Sequence, residues 1–236
     1  LTVARLVCDL VPYFVGLLLC LRIWTHKADL LGSVWRPLAV SVALSLIAFA
    51  GYLCFVGIRL RVNPVLLVRK LKEPFLRTLQ QRPIDFSAID ELAGRCHDDL
   101  GIDREFARAA LPQGLILFMP TSGIGIWMFV ICAAQTQQLP IDQIWIAAAG
   151  ALAVVLAVAT PPVTGANLLT FVAAFSFLGI SMDFILDAMV FDVLFNALCM
   201  AVDQAILQAE TALQAKRLGF LDEDALRAQP ISCSKQ

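Results

Sequence analysis

Charge is scarce in this sequence. Asp, Glu, Lys and Arg make up 16% of its 236 residues, against about 25% in an ordinary soluble domain. That deficit excludes a typical water-solvated fold. The net charge of −1 says nothing by itself about nucleic acid, and no basic face is left over once the loops are assigned, so no nucleic-acid partner is expected. Cysteine pairing motifs are missing too. Cys8, Cys20, Cys54, Cys96, Cys132, Cys199 and Cys233 show no CxxC spacing and sit mostly in apolar runs. They read as small core residues, not as a disulfide or zinc framework. The run Cys96-His97-Asp98-Asp99 holds metal-ligand types, but four adjacent residues converge poorly and nothing else supplies ligands, so no metal site is assigned. No nucleophile–base pair and no cofactor motif is visible, so no catalytic residue, resident cofactor or enzyme activity is assigned. A signal-peptide pattern is absent before the first apolar run, and the chain starts at Leu1. It is therefore expected to belong to something longer.

What is present is apolar surface: 59% hydrophobic residues and a mean hydropathy of +0.79. This composition defines a multi-pass membrane protein with the lipid bilayer as its solvent. Residues 6–24 form a first apolar segment interrupted by Asp9, Pro12 and Gly16. Residues 38–58 are uncharged over 21 positions, close to the ~20 a helical span needs. The exit is basic, with Arg59, Arg61, Arg69, Lys70, Lys72, Arg77 and Arg82 against Glu73 alone before Asp85. Lys and Arg near span ends stay in the cytoplasm, which orients the chain.

Three later stretches carry interruptions. Residues 70–100 mix Phe75, Leu79 and Leu92 with Asp85, Asp90 and Arg95, and Pro83 breaks any single helix. This fits either a broken amphipathic hairpin with its tip at 85–88 or a helix on the cytoplasmic surface. Residues 113–134 are uncharged for 22 positions but contain Met119-Pro120-Thr121-Ser122-Gly123-Ile124-Gly125. That segment is either kinked or unwound, and unwound carbonyls at bilayer depth are able to hold a cation or substrate. Residues 143–182 run 40 positions without a charge, around Thr160-Pro161-Pro162-Val163-Thr164-Gly165-Ala166-Asn167. The flanks are too short for comfortable spans at about 1.5 Å per residue, so a re-entrant hairpin competes with two crossings. Its small-residue tip presents backbone N–H groups suited to a carboxylate.

The segment 181–209 is long enough to cross a bilayer, yet Asp192, Asn196, Cys199 and Asp203 recur at spacings of four, three and four. A helix turns about 100° per residue, so all four share one narrow face. Carboxylates facing lipid cost about 2.5–3.5 kcal/mol each on insertion scales. The stripe therefore reads as the wall of a transport site; the plainer alternative is interhelical hydrogen bonding. Asp183 and Asp187 lie on roughly the opposite face, near the helix start, and are expected at the membrane surface, where the helix dipole favours negative charge.

Together these elements resemble the C-terminal half of the dicarboxylate/amino acid:cation symporters, the glutamate-transporter fold. The likeness covers residues 10–209 and rests on Asn63-Pro64-Val65-Leu66-Leu67-Val68-Arg69-Lys70, Leu100-Gly101-Ile102, Leu111-Pro112-Gln113-Gly114 and Val163-Thr164-Gly165-Ala166 in that order. Departures are clear. Of the serine-rich first tip only Ser87 remains, and the Asn-Met-Asp-Gly-Thr stretch has become Phe118-Met119-Pro120-Thr121-Ser122. One register puts an acidic position on Asp192, the amino-group carboxylate on Asn196, the side-chain-selecting Arg on Cys199 and a sodium-associated Asn on Asp203. A rival register uses Asp183 and Asp187 instead. Loss of the Arg disfavours glutamate or aspartate as substrate.

The resemblance implies an all-α polytopic membrane protein with transmembrane helices and two interrupted, re-entrant helical hairpins. Residues 1–215 would form the transport core and 216–236 a frayed cytoplasmic tail. It implies symport of a small dicarboxylate, organic anion or amino acid with Na+ or H+ across the plasma membrane, and a homo-oligomer, trimeric in relatives. Substrate contacts would come from Ser87, Met119, Ser122, Val163, Thr164, Gly165, Ala166, Asn196 and Cys199, and ion coupling from Asp192 and Asp203. The alternative is a non-transporting membrane subunit that keeps the fold.

Overall fold

The computed structural model describes residues 29–80, 89–160 and 167–227. Among them every regular element is helical apart from one isolated antiparallel bridge between Ile102 and Leu221. In order, the helices are α1 (Asp29–Leu60), α2 (Pro64–Gln80), α3 (Ile89–Leu100), α4 (Arg104–Leu117), α5 (Pro120–Thr136), α6 (Gln143–Ala159) and α7 (Asn167–Leu178). A 3₁₀ turn at Met182–Phe184 leads into α8 (Ile185–Leu218), and a short α9 (Glu223–Arg227) follows. Three stretches are long and apolar enough to cross a membrane: Val34–Leu60, Arg104–Thr136 and Met182–Leu218. This is an all-α membrane protein.

The described helices start where local chemistry supplies a start. Asp103 caps α4 by accepting from the Phe106 N–H at 2.9 Å, and Asp142 caps α6 by accepting from the Trp145 N–H at 2.6 Å. Each side chain satisfies one donor that the helix itself leaves over. Pro120 opens α5, where its missing N–H costs nothing.

The chain divides into two compact units. Of the described residues, the first holds 29–44, 119–160 and 167–196, the second 45–80, 89–118 and 197–227. In the first, α5 packs on α6 and α7 around an aromatic core. The Phe129 ring lies 5.3 Å from Phe171 and 5.0 Å from Phe191, and Phe191 stacks on Phe195 at 5.3 Å. Gly125 lets α8 close on α5, since a Cβ there would meet Phe195 Cε1 at 2.5 Å. The Trp127 indole N–H donates to the Ile146 carbonyl at 3.1 Å, fixing α5 against α6.

In the second unit, Leu53, Val56, Leu67, Leu71, Cys96, Leu111, Leu213 and Leu226 share one buried cluster. Burial pushes the Cys96 thiol up to about 12. The segment after α8 is docked rather than frayed as far as α9. Asp222 N donates to the Gly101 carbonyl and Asp103 N to the Phe220 carbonyl, both at 2.9 Å. Leu226 is 1% exposed. Gly101 has φ +70°, and a Cβ there would lie 2.7 Å from the Asp222 carbonyl, so this approach needs glycine. Lys70 sends its Nζ to the Ala225 carbonyl at 2.9 Å, and Lys216 pairs with Glu223 at 2.9 Å. Residues 216–227, expected to fray, are held in place here; main-chain pairing with a distant turn leaves no periodic trace in sequence.

Candidate substrate and ion site

The second interrupted segment is the better described. Helix α6 has 17 residues and α7 has 12, about 25 and 18 Å at the α-helical rise. Both fall short of the roughly 30 Å hydrocarbon layer. Thr160, at the end of α6, and Thr170, in α7, are buried and share a hydroxyl–hydroxyl hydrogen bond. Val163, Thr164, Gly165 and Ala166 lie outside the described residues, as does Ser87 between α2 and α3.

Asp192 faces this segment. Its Oδ1 accepts from Asn167 Nδ2 at 2.6 Å. The contact places a carboxylate of α8 against the first residue of α7, and Asp192 is half-buried. Four residues on, Asn196 is half-buried as well. The helix then passes into the other unit. There Cys199 and Asp203 are both buried, and the Cys199 thiol reaches Asp203 Oδ2 at 3.4 Å. Of the stripe read from spacing, Asp192 bonds to Asn167 within the first unit and Cys199 to Asp203 within the second.

Two expectations change. Asp183 is exposed and bonded to Ser181, as a surface carboxylate should be, but Asp187 is only 4% exposed. Ser181 caps the turn ahead of α8, so one turn past Asp183 the helix is already inside packed protein and its second face is buried too. The interruption near Met119 is also narrower than the motif implied. Only Phe118 and Met119 leave the helical path, and Thr121, Ser122, Gly123 and Gly125 belong to α5. Proline at the first helical position starts a new helix instead of unwinding the next turn, and Gly125 serves close packing. Ser122 therefore sits in a first turn, where N–H groups, not carbonyls, are left over.

Gln204 escaped notice in the sequence because it lies one position off the stripe. It is buried and its Oε1 accepts from Thr78 at 2.7 Å, while its Nε2 finds no partner among the described residues. Asn167 was visible only as the end of a small-residue run, because its partner is 25 residues away. Among the described residues no three His, Cys, Asp or Glu side chains gather to hold a metal ion.

Several apolar helices, one pair of them (α6 and α7) too short to span, and carboxylates within a long apolar helix define a multi-pass membrane protein. The chain belongs to the sodium:dicarboxylate symporter family, whose model matches residues 1–214. No curated protein matches it. Family membership points to a transporter and not an enzyme, and to sodium-coupled movement of dicarboxylates or amino acids in general terms.

Proposed function

We propose that the chain is the transport core of a symporter that couples Na+ or H+ to uptake of a small dicarboxylate, organic anion or amino acid at the plasma membrane. In this reading both interrupted segments are re-entrant hairpins. The 163–166 tip would take a substrate carboxylate on its N–H groups, and Ser87, Met119, Ser122, Asn196 and Cys199 would be further substrate contacts. Asp192 and Asp203 serve ion coupling. Cys199 offers no fixed positive charge for a second carboxylate, so monocarboxylates and neutral amino acids rank ahead of glutamate.

The observation that supports this most is the Asn167–Asp192 bond at 2.6 Å. It ties the carboxylate to the helix that leaves the second tip, so a cation at Asp192 and a substrate at the tip would act on one element. The reading of a non-transporting subunit gains nothing from the family match. Purified protein in liposomes, given pooled dicarboxylates and amino acids under sodium or proton gradients imposed separately, tests the proposal. Gradient-driven uptake is expected, and Asp192→Asn or Asp203→Asn should abolish it or release it from the gradient. Uptake that keeps its full ion dependence in both variants would rule out their coupling role.

A further inference from the structure

We propose that the turn after α1 and the first turns of α2 bind anionic phospholipid headgroups at the cytoplasmic face of the bilayer. The inference goes beyond transport and needs no knowledge of the substrate. Val65, Val68, Arg69, Lys72 and Leu76 are all exposed. They fall at i, i+3, i+4, i+7 and i+11, one continuous stripe of the helix. Three of them are large aliphatics, 59%, 47% and 44% exposed in chain order. The opposite side, Leu67, Lys70, Leu71 and Pro74, is buried in the second unit. Water poorly suits the aliphatics, and hydrocarbon poorly suits the cations. The headgroup boundary suits both, with aliphatic stems in the acyl zone and cationic ends at phosphate level.

The preceding turn adds two more cations. Val62 N donates to the Gly57 carbonyl at 3.0 Å, and a Cβ on Gly57 would lie 3.0 Å from Pro64 Cγ. The chain therefore folds back tightly where the apolar helix ends, and exposed Arg59 and Arg61 sit beside the base of α2. Arg59 rests over the ring of Phe55, itself 47% exposed, at 5.5 Å. Among the described residues no carboxylate pairs with Arg59, Arg69 or Lys72. Glu223, the carboxylate that acts on Arg61, is already held by Lys216 and Arg227. Four cations at a span end on the positive side of the topology complement an anionic leaflet.

The test places the whole chain in nanodiscs of phosphatidylcholine with or without phosphatidylglycerol. It reads the lipid retained after release into mild detergent, together with the unfolding midpoint. The parent is expected to retain phosphatidylglycerol preferentially and to unfold later in its presence. Neutralising Arg59, Arg61, Arg69 and Lys72 to Gln should lower that preference about fivefold per cation, and added salt should weaken it. A variant with Lys at all four positions should keep it. Should the fourfold variant fail to fold, Arg69→Gln and Lys72→Gln alone, both at exposed positions, carry the same expectation. No preference in the parent, or an undiminished one in the Gln variants, overturns the proposal. A dimer formed by the parent and lost in the variants would assign the face to a second copy and overturn it as well.

Discussion

At the scale of single residues, glycine separates packing from flexibility in α5. Gly125 faces Phe195 inside a stacked aromatic core, whereas a Cβ on Gly123 would meet the Ala157 methyl at an ordinary 3.6 Å. Gly125→Ala is therefore expected to cost about 1–3 kcal/mol, the usual range for overpacking, while Gly123→Ala is neutral or mildly stabilising through helix propensity. Thermal unfolding of the two variants in one detergent checks the contrast. The shared helical face of Asp192 and Asp203 was legible in sequence, because helical phase depends only on spacing. Sequence could not show Asn167 as the partner of Asp192, since that pairing joins separate elements. Nor could it show Asp187 as buried, because spacing gives the angle between two faces of a helix and not which of them meets packed protein.

At the scale of elements, the docking of α9 has a pH signature. The hydrogen bond from Lys216, and then its charge, hold the Glu223 carboxyl below the ordinary glutamate range, with Arg227 and Arg61 adding to it. An unfolded chain takes up that proton first as the pH falls. The stabilisation is therefore complete above the ordinary range and is lost as pH drops through the lower folded value. Amide protection at Ala225 and Leu226 should hold steady from neutral pH to the ordinary glutamate range and decline below it, by hydrogen exchange. In Glu223→Gln the protection should start lower and lose that step. Hydropathy made the apolar helices legible, and Pro120 marked the interruption. The extent of the interruption was not legible, because one proline does two opposite things, ending one helix and pre-forming the next.

At the scale of the molecule, orientation follows from the basic exit of α1. A cysteine placed at exposed Asn63, with the seven native cysteines replaced, should react with an impermeant maleimide from the cytoplasmic side only, in sealed cells against inside-out vesicles. Labelling from outside would invert the topology. The family and the all-helical architecture were readable from motif order, because order survives when individual ligands are replaced. Whether short arms enter the bilayer and return was not readable, since re-entrant and spanning helices share the same apolar composition. The docked end of the chain carries a final consequence. Its grip on the Gly101 turn and on Lys70 runs through peptide atoms at Phe220, Asp222 and Ala225, which every amino acid except proline at a donor position supplies alike. Side-chain replacements can leave those main-chain bonds in place, whereas clipping the chain at Leu218 would remove them together with Leu226, which shares the buried cluster of Cys96 and Leu71.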